Sequence, residues 1–296
     1  MDNALGNFLR ARRELVTPAE VGLPPGAGLR RVPGLRREEV ARLAGISVEY
    51  YLRLERGRDR SPSLQVIEAL ARVLQLDPES TAYLTALVQP RPRTRPARQD
   101  HVPPSLDLLL RTINVPALVF NKYSDVLAAN PLAQALSPSM VPGVNRLRML
   151  FCDPVDRTYH PHWEQYTAGV VAHLRAQIGS DTGDERLHAL IGELSVKSDR
   201  FRRLWARQDV RALRSGSFWI RHPRVGDLEL LVEKFFVAGE GGLEALLLHA
   251  EPGTRAAAAL AELHKAAARG ELHKAAARGE LHKEAARAEP QNASTD

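Results

Sequence analysis

A chain of 296 residues with one cysteine, Cys152, is long enough for two cores and excludes both an internal disulfide and a cysteine-built zinc site. No apolar run reaches the length of a membrane span, and the charged start MDNALGNFLRARREL lacks the apolar core of a secretory signal, so a reducing cytoplasm is the expected setting. The formal charge of +6 is unevenly placed: residues 1–98 carry 17 Arg, no Lys and 11 acidic residues, while the remainder balances 24 basic against 24 acidic residues.

Leu5 to Leu15 has the spacing of an amphipathic helix, with Leu5, Phe8, Leu9 and Leu15 toward a core. Residues 16–34 hold four prolines and four glycines and read as a long loop. Arg37 to Arg56 (REEVARLAGISVEYYLRLER) reads as a helix-turn-helix. Val40, Ala41, Ala44, Ile46, Tyr51 and Leu54 are the apolar anchors, and Ala41 is small where two helices approach. Gly45 permits the positive φ of a sharp turn, and Ser47 caps the second helix. Ser61-Pro62-Ser63 opens a fourth helix with Leu64, Ile67, Leu70, Ala71 and Leu74 on one face. Asp77-Pro78 opens a fifth, with Tyr83, Leu84, Leu87 and Val88 as its apolar side. The expected all-α module spans residues 1–88, and residues 89–104 (QPRPRTRPARQDHVPP) form a Pro/Arg-rich linker.

The expected second domain covers residues 105–253. After a helix at Ser105 to Thr112, Pro116 to Phe120 and Val126 to Ala129 read as strands. A helical middle runs from Pro131 to about Arg214, followed by strands at Ser217 to Arg221, Asp227 to Val237 and Leu243 to His249. The short links at Pro223–Gly226 and Gly239–Gly242 favour an antiparallel meander. The fold class is therefore mostly α with an α+β second domain. Two strands, a helical insert and three meandering strands is the order of a PAS-like domain with a five-stranded antiparallel sheet. From Glu262 to Ala288 a nine-residue repeat (ELHKAAARG) lies in a tail, residues 254–296, expected to be partly helical or disordered and to lack a core of its own.

Several stretches together carry a family resemblance. The N-terminal part (LGNFLRARREL, VPGLRREEVARLAGISVEYYLRLERGR) resembles the XRE-family helix-turn-helix. Residues 3–253 as a whole, with PALVFNKYSDVLAANPLA, FCDPVDRTYHPHWEQ, ELSVKSDRFRRLWARQDV and RHPRVGDLEL in order, resemble the MmyB-like regulators of actinobacteria. The resemblance implies a DNA-binding transcriptional regulator whose PAS-like domain takes a fatty-acid-like ligand. The sequence departs from the family at Gln208, where His is usual, and at His162, where a carboxylate is usual.

On duplex DNA, Ser47, Val48, Glu49 and Arg53 are the expected base-edge readers, and Arg36, Arg37, Arg56 and Arg58 the expected phosphate contacts. Arginine makes a bidentate contact to guanine, and glutamate accepts from cytosine. One recognition helix reads few base pairs, so a homodimer on a two-fold site is expected. In the second domain, Trp163, Phe201 and Trp205 are candidate cavity walls, and Asn130 and His222 candidate polar handles for a small apolar ligand. A domain that docks a protein partner is the alternative. No enzyme is expected: Asp153, Asp156, His160 and His162 read as a helix cap and flanking residues rather than a metal site, no serine context marks Lys197 or Lys234, and no cofactor motif is present.

Overall fold

The structure is a computed structural model that describes residues 3–24, 33–59, 61–88, 101–178, 184–211, 216–238 and 242–269. Most of the expected linker, part of the early loop, the tip of the last hairpin and the tail from residue 270 onward lie outside the described residues. The chain forms two compact units. The first comprises Met1–Thr94, Ala168–Ala189 and Asp199–Leu213, and the second Arg95–Thr167, Leu190–Ser198 and Arg214–Asp296.

The first unit is built on α1 (Ala4–Leu15), α2 (Arg37–Ala44), α3 (Val48–Glu55), α4 (Leu64–Val73) and α5 (Pro78–Val88). Local chemistry sets their ends. The side-chain oxygen of Asn3 accepts from Gly6 N at 3.1 Å to start α1, Ser47 Oγ accepts from Tyr50 N at 3.1 Å to start α3, and Asp77 Oδ1 accepts from Ser80 N at 2.7 Å in the first turn of α5. Gly45 closes α2 at φ +68°, where a Cβ would be strained. Phe8, Leu9, Leu35, Val40, Tyr51, Leu54, Leu70 and Leu84 meet in one core. Each such side chain contributes about 1.5–3 kcal/mol over exposure. Leu15 and Leu64, expected inside, are 52% and 59% exposed. Leu15 ends α1 and Leu64 begins α4, where a terminal turn overhangs the core.

Residues 105–253 contribute to both compact units. The first unit also takes in the C-terminal part of α10 (Trp163–Ile178) and α12 (Asp199–Ala206). Val210 enters the same core as Phe8 and Tyr83, and Ala176 packs against it.

The second unit is organised by an antiparallel sheet of order β2-β1-β5-β4-β3. Its strands are β1 (Ala117–Phe120), β2 (Val126–Ala129), β3 (Gly216–His222), β4 (Gly226–Phe236) and β5 (Glu244–His249), within a residue or two of expectation. Side-chain alternation separates two faces. Leu118, Phe120, Phe218, Ile220, Leu228, Leu230, Leu246 and Leu248 point inward against Leu132 and Leu136 of α7 (Pro131–Leu136). On the other face Ala117, Val119 and Ala245 pack with Leu110 of α6 (Pro104–Thr112). The helices α8 (Arg146–Cys152), α9 (Pro154–Thr158) and α11 (Glu185–Lys197) complete the helical middle.

Beyond residue 253 the chain continues into α13 (Arg255–Ala268), capped by Thr254. Ala259, Leu260, Leu263 and Ala266 recur at helical spacing and belong to the sheet's core. The first copy of the nine-residue repeat is therefore partly core-forming, and the later copies lie outside the described residues.

Candidate nucleic-acid interface and ligand-domain interior

α2, the turn at Gly45 and α3 present one exposed helical face. Ser47, Val48, Glu49, Arg53 and Arg56 are exposed on or beside α3, whereas Tyr51, Leu54 and Glu55 turn inward. The cap leaves the Ser47 hydroxyl proton available to a base edge. The Arg53 guanidinium lies 5.3 Å over the Tyr50 ring, which limits its rotamers. Tyr50 is half-buried. Arg36 begins α2, where its backbone N–H donates to Glu39 Oε2 at 2.6 Å and its side chain is exposed. Arg58 is also exposed, and its N–H donates to the Arg53 carbonyl at 2.9 Å.

The remaining DNA candidate, Arg37, has a second task that sequence reasoning missed. Its Nε lies 2.6 Å from Glu55 Oε2, while Nε of Arg13 lies 2.6 Å from Glu55 Oε1. Arg13 also donates to the Leu35 carbonyl at 2.9 Å. Glu55 is wholly buried. Burial disfavours its charge, yet the hydrogen bonds from Arg13 and Arg37 hold its carboxyl below the usual range. Asn3 donates to the Glu55 carbonyl at 2.7 Å, and a Cβ on Gly6 would stand 2.1 Å from that oxygen. One carboxylate at the end of α3 thereby fastens α1, α2 and α3. The sequence held a signal: Glu55 follows Tyr51 by four residues, on the inward face.

The candidate ligand residues fall in both units. Phe201 and Trp205 stack in the first, with ring centroids 5.7 Å apart, while Asn130, Trp163 and His222 lie in the second. Asn130 Oδ1 accepts from Ala117 N at 3.1 Å and Ala133 N at 2.9 Å, and its amide donates to the Val115 carbonyl at 2.7 Å. It fastens β1 to the start of α7. The His222 ring accepts from Arg224 N at 3.2 Å through Nδ1 and donates to the Ala135 carbonyl at 3.0 Å through Nε2. Burial pushes its pKa down to about 4. His222 is therefore a neutral internal fastener. Trp163 donates from its indole to the Leu150 carbonyl at 3.1 Å, with the Arg157 guanidinium 4.4 Å over its ring. Asp153 caps α9 by accepting from Val155 N at 2.8 Å.

A different polar chain lies beside the sheet's inner face. Arg146 Nη2 meets Tyr166 Oη at 3.4 Å, its guanidinium is 5.2 Å from the Phe120 ring centroid, and its buried Nε has no hydrogen-bond partner. Among the described residues Arg146 has no carboxylate at ion-pair distance. His160 stacks on Tyr166 at 4.7 Å and lies edge-on to Phe218 at 5.8 Å. Its Nε2 is 3.3 Å from Asp156 Oδ2, and Asp156 is wholly buried with neither carboxylate oxygen hydrogen-bonded. This cluster contrasts with Lys234 and Glu244, which form a close buried ion pair beside Phe120.

Two family descriptions match the chain: a helix-turn-helix domain over residues 4–84, and an MmyB-like transcription regulator ligand binding domain over residues 102–263, more than half of the whole. The chain belongs to the MmyB-like transcription regulators. No curated protein matches it. This MmyB-like chain is a DNA-binding transcription regulator that carries a ligand-binding domain. Among its described residues no helix is long and apolar enough to cross a membrane.

Proposed function

We propose that this MmyB-like regulator acts on the nucleoid, without enzymatic activity, and reads a specific duplex sequence as a homodimer through Ser47, Val48, Glu49 and Arg53. Arg36, Arg37, Arg56 and Arg58 hold phosphates. The observation that carries this reading is the exposed face of α3, presented on a helix that Glu55 locks from behind. Rigid support of this kind is what base-edge contacts require. Arg37 then serves twice, with its side chain 45% exposed while its Nε stays on Glu55.

For the second domain the proposed ligand is a small, largely apolar, fatty-acid-like molecule. Phe120, Phe218 and the leucines of the inner face supply apolar surface, and Arg146 with Tyr166 supplies cationic and hydroxyl groups for one acidic end. Solvent extraction of the purified chain followed by mass spectrometry tests this. A copurified acid that is lost in Arg146→Met supports it, and an acid retained in equal amount by that variant contradicts the role of Arg146. A protein partner is the second reading, favoured by Trp219, Leu231 and Phe235, which are 37%, 41% and 52% exposed on β3 and β4.

A further inference from the structure

The first compact unit contains a grip that lies outside the helix-turn-helix. Arg12 on α1 donates from Nη2 to the Gln208 carbonyl at 2.9 Å, and its Nη1 is 3.5 Å from Asp209 Oδ1. Arg175 on α10 is 5% exposed. It donates to Gln208 Oε1 and to the Trp205 carbonyl, each at 2.5 Å, with its guanidinium 3.8 Å over the Trp205 ring. Gln208 is held at φ +57°, a left-handed conformation that costs free energy in a non-glycine residue and persists where neighbours enforce it. Both of its carbonyl groups, backbone and side chain, are in the grip of an arginine. Arg211 N donates to the Ala172 carbonyl at 3.2 Å, which ties the same segment to α10 again.

The residue after Arg12 on α1 is Arg13, which holds Glu55. Successive residues on a helix project about 100° apart, so one turn of α1 faces two ways. Arg12 faces the 208–209 segment, and Arg13 faces the end of the recognition helix. A rigid helix held on both sides moves as a body.

We infer that Arg175 and Gln208 are positioning residues for DNA binding: they fix α1 through Arg12, and α1 fixes the recognition helix through Arg13 and Glu55. Neither residue touches the exposed face of α3. The helix-turn-helix is in this account not autonomous, because a segment more than 100 residues later in the chain sets the seat of its first helix. Any rearrangement of residues 199–211 alters DNA affinity without any change in the groove-facing side chains.

The test uses the full-length chain and a duplex that the parent protein selects from a random-sequence pool. Arg175→Met and Gln208→Gly are compared with the parent, the glycine keeping the left-handed backbone while removing the side-chain acceptor. Affinity is read well below the melting temperature, and amide hydrogen exchange is followed in parallel. Expected are about three- to thirty-fold weaker binding and faster exchange across α3, with exchange in the five strands unchanged. Arg12→Lys keeps a charge beside Asp209 but withdraws the reach to Gln208. A smaller loss of the same sign is expected, and this variant decides the matter where the larger changes do not fold. Parent-level affinity and parent-level exchange in α3, with faster exchange confined to residues 199–211, would overturn the inference.

Discussion

Two polar clusters of this MmyB-like regulator, around Glu55 and around Asp156, are built on opposite terms. Around Glu55 each carboxylate oxygen has an arginine at 2.6 Å. Around Asp156 neither oxygen has a hydrogen bond, His160 Nδ1 and Arg146 Nε are likewise unbonded, and all four atoms are buried. Charge that is fully paired and hydrogen-bonded holds one geometry, because any movement strands it in a low dielectric. Charge that is incompletely paired resists movement less and gains from a new partner. The first arrangement suits helices that must present fixed side chains to a groove. The second suits an interior that answers to a ligand.

The largest effect that sharpens this contrast is expected from Glu55→Ala. Removing the shared carboxylate leaves Arg13 buried without its partner and should cost about 3–5 kcal/mol, read as an earlier urea transition for helix loss. A loss below 1 kcal/mol would mean that the three helices do not depend on the lock.

A smaller effect comes from His222, a satisfied group within the second unit. Its pKa in the fold is about 4, below the ordinary 6.5, so the unfolded chain binds the extra proton first. Its contribution is therefore fully present above pH 6.5 and is lost as pH falls toward 4, to the extent of about 2–3 kcal/mol. Urea titrations across that window should show a steeper acid loss in the parent than in His222→Gln. Identical slopes would remove His222 as the cause.

The smallest effect is expected at Asp156. Asp156→Asn relieves a buried carboxylate whose oxygens accept no hydrogen bond, so stability should stay within about 1 kcal/mol of the parent or rise. A loss as large as that of Glu55→Ala would break the distinction between the two clusters.

What the sequence made legible follows physical range. Gly45, Ser47 and the apolar spacing around them are local signals, and both helices form where they point. The five strands were visible as short runs, the last three joined by short turns. The backbone hydrogen bonds of Asn130 and His222 were not legible, because a buried polar side chain looks the same in sequence whether it meets a ligand or a backbone carbonyl. The burial of α13, which lies in the tail expected to be partly helical, was hidden by its composition: alanines suit an exposed helix, and only packing shows that Ala259 and Ala266 lie inside. The grips on Glu55 and Gln208 join residues 42 and 196 positions apart, beyond any local pattern.

The exposed face of α3 is proposed to read base sequence. Parallel selections from a random duplex pool, with the parent and with Arg53→Ala, test it most directly. A two-fold-related pair of half-sites is expected for the parent. For the variant the same spacing is expected, with one base position relaxed and about 1–3 kcal/mol of affinity lost. An unchanged preference at every position in Arg53→Ala, or no enrichment by the parent, would contradict it.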